Sequence, residues 1–319
     1  MHRLLTPIAY TRQLLLFIVS LFIIITGCVE QEVPKKINLS ERVAEPSAHT
    51  VGTLDDPLLF GFDLRLDPKE EVKIYTPFLK YIEESTGQRF RIKFTDKYKN
   101  TVENLGKGLT QLASVGTLSY VIGREEYGIK YLVSGVNHEG DPRYHAAIVT
   151  SHDSTIQNIS QLKGKSFCFG SRMSTQGHLI PRKMMEDQGI VLKDLDSYQY
   201  TGSHINAASA VLNGECDAAG IQDTLASRLV TEGKIKIIGF SEPYPSSLIA
   251  YNADLDSGTV LNIKIALLAF EPQGRHNDLL FEWDKTEMPL GFTIINETEI
   301  HKVRDLAKRY GLIKDEVKN

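Results

Sequence analysis

The chain has 319 residues, of which 42% are hydrophobic and 24% charged, the balance of a folded water-soluble protein with one large or two ordinary domains. Its 40 acidic residues outnumber its 36 basic ones, giving a formal net charge of −4. With no basic excess to meet a phosphate backbone, the composition argues against nucleic acid as partner, but not against a small anion held by local donors.

In chain order, Arg3 and Arg12 precede LLLFIVSLFIII at residues 14–25, and Thr26 and Gly27 then lead to Cys28. The apolar run has the length of a signal-peptide core and is short for a membrane span. Small residues before a cysteine resemble the bacterial lipoprotein signal, with residues 1–27 removed and Cys28 lipidated. An uncleaved anchor is the alternative, and either places the remainder outside the cytoplasm. The mature chain would hold 34 basic against 40 acidic residues. Residues 28–55 are polar without an apolar period and read as a tether.

Strands and helices alternate from residue 57. LLFGF (58–62) is a strand, and EEVKIYTPFLKYIEES (70–85) has helical spacing with Pro77 expected to kink it. RFRIKFT (89–95) reads as strand, 101–109 as helix, 112–116 as strand, 118–126 as helix, and 129–135 and 145–150 as strands. A second alternating set follows: strand to Gly170, helix 175–189, strand 197–202, helix 204–214, strand 216–221, helix 225–233 and strand 235–240. Strand 246–252 returns, and three helical stretches end the chain, 276–283 among them. Alternation of this kind implies largely parallel sheets covered by helices. The reading is an α/β chain of two lobes, 56–150 plus 244–319 and 151–243, hinged near 145–150 and 246–252.

Ser174, Thr175 and Gly177 stand where the 175–189 helix begins. A helix start exposes unpaired N–H groups and partial positive charge, so this is an anion site or an ordinary N-cap. Ser174, His204 and Asp223 have the residue types of a catalytic triad, but no G-x-S-x-G elbow supports one. No P-loop is present. His178 and His204 lack a third metal ligand by spacing, so neither metal nor cofactor is expected. Cys168 and Cys216 occupy apolar strand contexts, which favours two buried thiols over a disulfide.

Five segments together resemble the phosphate/phosphite/phosphonate-binding proteins of bacterial ABC transporters. They are YTPFLKYIEESTGQRFRIKFTDKYKNTVENL (75–105), SVGTLSYVIG (114–123), ISQLKGKSFCFGSRMSTQGHLIPR (159–182), GSHINAASAVLNGECDAAGIQDT (202–224) and LGFTIINETEIHKVRDLAKRYGL (290–312). The resemblance implies a two-lobed class II periplasmic-binding-protein clamshell, each lobe a mixed, mostly parallel sheet flanked by helices. It implies a tetrahedral oxyanion bound by Ser174, Thr175, Gln176 and Gly177 from one lobe, with Tyr98 and Thr117 approaching from the other. His204 would donate to the anion, and Asp223 would accept from a ligand hydroxyl or orient His204. Val115, Ser171 and Ser246 or Ser247 stand where the family has an aromatic and two acidic residues. Fewer acids point to a ligand without an amine. The expectation is a monomeric, lipid-anchored, extracytoplasmic binding protein that serves an ABC permease. A membrane sensor such as a histidine kinase is the alternative partner, and an enzyme is the weakest reading.

Overall fold

The computed structural model describes residues 52–94 and 98–314, with the side chains of 98–100 left aside. The expected signal segment, Cys28 and most of the tether lie outside the described residues. The fold is already tied down at residue 52, where the Arg89 amide donates to the Gly52 carbonyl at 2.8 Å.

The first half runs β1 (Leu58–Phe62), α1 (Pro68–Thr86), β2 (Phe90–Ile92), α2 (Tyr98–Gly106), β3 (Leu112–Gly116), α3 (Thr117–Tyr127) and β4 (Lys130–Gly135). Asp67 caps α1 by accepting from the Lys69 amide, with Pro68 beside the cap, where a missing N–H costs nothing. Pro77 does not break α1. The buried face of Ile74, Tyr75, Phe78, Leu79 and Ile82 holds the helix through it. Among the described residues, the strand expected over 89–95 is paired at Phe90–Ile92, opposite Leu58–Phe60, and residue 95 lies outside them.

The chain crosses at β5 (Arg143–Tyr144) into β6 (Ala146–Ser151), β7 (Ser166–Phe169), α4 (Ile180–Asp187), β8 (Ser197–Tyr200), α5 (His204–Leu212), β9 (Ala218–Gln222), α6 (Asp223–Thr231) and β10 (Ile235–Phe240). It returns at β11 (Tyr244–Pro245) into β12 (Ser247–Tyr251), α7 (Ser257–Leu268), β13 (Phe292–Thr293) and α8 (Glu297–Arg309). The helix expected at 276–283 is absent; two short 3-10 turns, Asn277–Leu279 and Trp283–Lys285, occupy that region.

Two main sheets result, ordered β13-β4-β12-β3-β1-β2 and β10-β6-β9-β7-β8. Most strands of each share one direction. The exceptions in the first are β12 and β13, and in the second β6. The sequence reading put 145–150 in the first lobe as a hinge strand. Instead β6 is hydrogen-bonded between β10 and β9, because its fully buried apolar run needs partners on both sides. The crossings themselves are β5 and β11, which pair antiparallel with Tyr144 opposite Tyr244.

The apolar core follows this plan. Phe60, Phe62, Tyr75, Phe78, Phe270 and Trp283 pack under α1 and α7 on one face of the first sheet. A second layer runs continuously from Val115 of the first sheet and Leu118 of α3 to Ile148 and Phe167 of the second sheet and Leu179 before α4, and on to Leu306 of α8. Cys168 and Cys216, expected as separate buried thiols, form a disulfide with Cα atoms 5.9 Å apart. Both are buried between β7 and α5, so an apolar context places the sulfurs together as readily as it hides them. The pair closes a loop across 48 positions. Replacing both by serine is expected to remove about 2–4 kcal/mol of stability. A urea melt of the fragment from residue 50 tests this, with a thiol assay that should find no reactive sulfur before reduction.

Candidate functional site

The segment Ser174–Leu179 opens with a π turn, Thr175–Leu179, before α4 continues it. Pro181 explains the turn. It has no N–H to offer the Gly177 carbonyl, which accepts instead from the Gly170 amide at 2.8 Å. Ser174 is the N-cap, its Oγ accepting from the Gly177 amide at 2.8 Å. The amides of Thr175 and Gln176 are thus first-turn donors with no intrahelical partner. Gly177 is required by close approach: a Cβ there would lie 2.9 Å from the His204 ring and from Ser174 Oγ.

His204 begins α5 and brings Nε2 to 3.4 Å from Ser174 Oγ, while its Nδ1 is buried without a hydrogen-bond partner. Around these groups lie Asp63, Arg65, Gly116, Met173, Ser246 and Glu287, enclosing about 20 Å³ open to the centre of a water-sized sphere. That is room for about one water molecule. A wider cleft of about 380 Å³ adjoins it, sharing Arg65, His204 and Glu287 and adding Arg228 and Lys285 among its walls.

The void is small because the segments on either side of it bond directly to each other. Thr175 Oγ1 accepts from the Leu118 amide at 3.0 Å, and Gln176 bonds the Tyr244 carbonyl (3.3 Å) and the Ser246 hydroxyl (3.2 Å). Ser246 and Ser247 both donate to Glu287 Oε2, the former at 3.0 Å. Glu287 Oε1 lies 3.1 Å from Arg65 Nε.

Ser174, Thr175, Gln176, Gly177 and His204 are therefore brought together, and Thr117 and Asp223 are not. Thr117 is fully buried behind the void, where both its amide and its hydroxyl donate to the Ser246 carbonyl. Asp223 lines a different cavity with His138, His145 and Phe240. Its carboxylate accepts from the His145 and Thr224 amides, each at 2.7 Å, so it pins the start of β6 and neither orients His204 nor faces the void. The side chain of Tyr98 lies outside the described residues. His178 is core: its ring bonds the Arg172 carbonyl and Tyr200, and it meets Phe169 edge-on. Among the described residues no group of His, Cys, Asp and Glu could hold a metal ion.

Three residues were missed: Asp63, Arg65 and Glu287. The reading that acids are fewer here is overturned by position, because Glu287 supplies a carboxylate against the very serines that replace an acid. The available signal was Asp63 closing an otherwise apolar strand with Arg65 two residues on. Nothing in the polar stretch around Glu287 set it apart.

Burial raises the Asp63 carboxyl from 3.8 to about 6, opposed by Arg65 and the Gly116 amide. Burial lowers His204 from 6.5 to about 4, so its imidazole is neutral near neutral pH. For Glu287 burial pushes upward, but Arg65 and the two serines outweigh it and hold the carboxyl below its usual range. Asp63 gives stability at low pH that is lost as pH rises from 3.8 to about 6, since the folded state keeps the proton longer. His204 acts oppositely, its stability present above 6.5 and lost as pH falls toward 4. The two slopes overlap and largely cancel. Asp63→Asn is expected to exceed the native chain by about 1–3 kcal/mol near neutral pH and to lose that margin in acid. Urea melts across the range measure it. Removing Arg65 is a separate case: Arg65→Ala strands a buried carboxylate and is expected to cost about 3 kcal/mol or more near neutral pH, read by the same melts.

A family model described as the periplasmic substrate-binding protein of a phosphonate ABC transporter matches residues 60–294. A phosphate-import protein, PhnD, of Mycolicibacterium smegmatis is 26% identical over 207 residues, which is 60% of this chain and 64% of that protein. A probable ABC transporter phosphite-binding protein, PhnD1, of Prochlorococcus marinus is 27% identical over 171 residues, 51% of each. The chain thus spans about half to two thirds of the length of these curated relatives. The solved structure of PhnD1 from Prochlorococcus marinus with methylphosphonate superimposes with a TM-score of 0.71 at 17% identity, covering 80% of this chain and 98% of that one. An aliphatic sulphonate-binding protein, SsuA, of Escherichia coli reaches 0.58 at 14% identity, covering 82% and 89%. At such identities the likeness shows the fold, a class II periplasmic-binding-protein clamshell. With the family model spanning most of the folded residues, the chain belongs to the phosphonate family of periplasmic substrate-binding proteins of ABC transporters, a family of binding components and not of enzymes.

Proposed function

We propose that this chain captures a small tetrahedral oxyanion, of the phosphonate, phosphite or phosphate kind, between its two sheets and presents it to an ABC permease. The observation that carries the reading is the convergence on one small void of a capped helix start, an imidazole with one buried and unpartnered nitrogen, and a guanidinium. The amides of Thr175 and Gln176 supply donors that need no proton, and the helix start adds partial positive charge. Ser174 Oγ, already accepting from Gly177, keeps its hydrogen to donate. His204 donates from whichever ring nitrogen carries the hydrogen, without needing to be charged.

The void is too small for such an anion as it stands. Binding therefore separates the contacts of Thr175 with Leu118 and of Gln176 with Ser246, and the anion's oxygens take their place. The two crossings β5 and β11, lying side by side, are where the sheets pivot, with 56–145 and 244–319 moving against 146–243. With residues 1–27 removed, lipid on Cys28 anchors the protein to a membrane through the 28–55 tether, and the bound, closed form acts as a monomer on its permease.

A thermal-shift panel on the fragment from residue 50 tests this, using phosphate, phosphite, methylphosphonate, 2-aminoethylphosphonate and sulfate. A ligand at 100 times its dissociation constant adds about 2.7 kcal/mol, a rise of roughly 5 °C for a chain of this size. Ser174→Ala with Thr175→Ala is expected to weaken binding at least about tenfold, the loss of about 1.4 kcal/mol or more of hydrogen bonding. A chain that none of these anions stabilises would contradict the reading.

A further inference from the structure

Asp63 is an acid at the end of the cavity meant for an anion. It closes β1 at 1% exposure. Its Oδ2 accepts from the Gly116 amide at 3.1 Å, while Oδ1 is buried with no hydrogen-bond partner. The Thr101 hydroxyl on α2 and the Ser119 hydroxyl on α3 lie near enough to favour its ionised form slightly, but they also reach the Phe62 and Met173 carbonyls at 3.3 and 3.4 Å, and burial outweighs their help. The charged and titratable groups around the void are Arg65 after β1, Glu287 before β13 and His204 of α5. Arg65 is engaged with Glu287, and His204 is neutral. Among the described residues, Asp63 is thus the carboxyl of this cavity with no ion pair within hydrogen-bonding distance.

An ionised carboxylate accepts hydrogen bonds and cannot donate them. Beside an oxyanion it is repelled unless one hydrogen lies between the two oxygens. Acids of phosphorus provide that hydrogen near neutral pH, because their second ionisation falls there, at about 6 for a phosphate monoester. Sulfate and sulfonates carry none. We propose that Asp63 is the specificity-determining residue of the site, sharing one hydrogen with the bound anion and so selecting oxyanions of phosphorus over those of sulfur. An amine on the ligand is the other group a carboxylate could meet. Such an arm would meet Glu70, Asp284 and Glu287 in the walls of the wider cleft, which Asp63 does not line, whereas Asp63 faces the void where the oxyanion itself would sit. This inference rests on the oxyanion reading above. It goes beyond the fold, which proteins for phosphonate and for sulphonate share.

The test is calorimetry with methylphosphonate and methanesulfonate, which differ chiefly in the ability to carry a hydrogen. The native protein is expected to prefer methylphosphonate by about 100-fold or more. Asp63→Asn, whose amide can donate to either anion, is expected to shrink that preference at least about tenfold by gaining methanesulfonate. A measurement on the native protein stands independently of the variant's folding. Titration near pH 8 in two buffers of different ionisation enthalpy should show uptake of close to one proton per methylphosphonate bound. Equal affinity for the two anions, an unchanged preference in Asp63→Asn, or no proton uptake overturns the role of Asp63 while leaving the oxyanion site intact. Failure of the native protein to bind either of these anions or any anion of the thermal-shift panel overturns both.

Discussion

The carboxylate of Glu287 is the point on which the arrangement between the sheets depends. It is buried and ionised, which is costly in a protein interior unless partners replace the lost water. Arg65 gives it a counter-charge, and Ser246 and Ser247 give it hydrogens. Those partners come from the loop after β1 and from the start of β12, which follows the returning crossing. The Tyr144 hydroxyl, on the outgoing crossing, donates to the backbone carbonyl of the same residue at 2.9 Å. One acidic side chain and its own peptide group thereby hold both crossings and the end of β1 in register. Ser246 extends the network to Gln176 across the void.

From that constraint the character of the site follows. The donors proposed to meet a ligand are backbone amides whose positions are fixed by a π turn, and the turn is fixed by Pro181. The charges nearby are nearly balanced: Arg65 is committed to Glu287, His204 is neutral, and Asp63 is held close to its own titration point. On the proposal made above, such a cavity would discriminate by where hydrogens lie more than by total charge. Electrostatic attraction at long range would be weak for a chain of negative net charge, so selectivity must come from short contacts.

Much of the architecture was legible because burial and periodicity go together. The strand LLFGF, the helix closed by Gly87 and the capped start at Ser174 are each specified by local chemistry. What was not legible depended on distance in the chain. Cys168 and Cys216 are joined through a fold that no spacing rule encodes. The segment 145–150 looked like a connector, and only pairing with β9 and β10 makes it a central strand. Asp223 was expected at the site from the family resemblance, yet its carboxylate is spent on the backbone at His145 and Thr224. Glu287 sits in a polar stretch that reads as surface. It is buried because Arg65, more than two hundred residues earlier, arrives beside it. The site's helix start was therefore visible in the sequence, and its carboxylates were not.

The central claim is that an oxyanion replaces the direct contacts between the sheets at the start of the Ser174 segment. A crystal structure of the fragment from residue 50 grown with methylphosphonate tests it most directly. The account predicts one anion in the enclosed void, its oxygens within about 3.2 Å of the Thr175 and Gln176 amides and of Ser174 Oγ, with Thr175 Oγ1 released from the Leu118 amide. Density for the anion elsewhere, or an empty void with the contacts of Thr175 and Gln176 intact at saturating ligand, would contradict it.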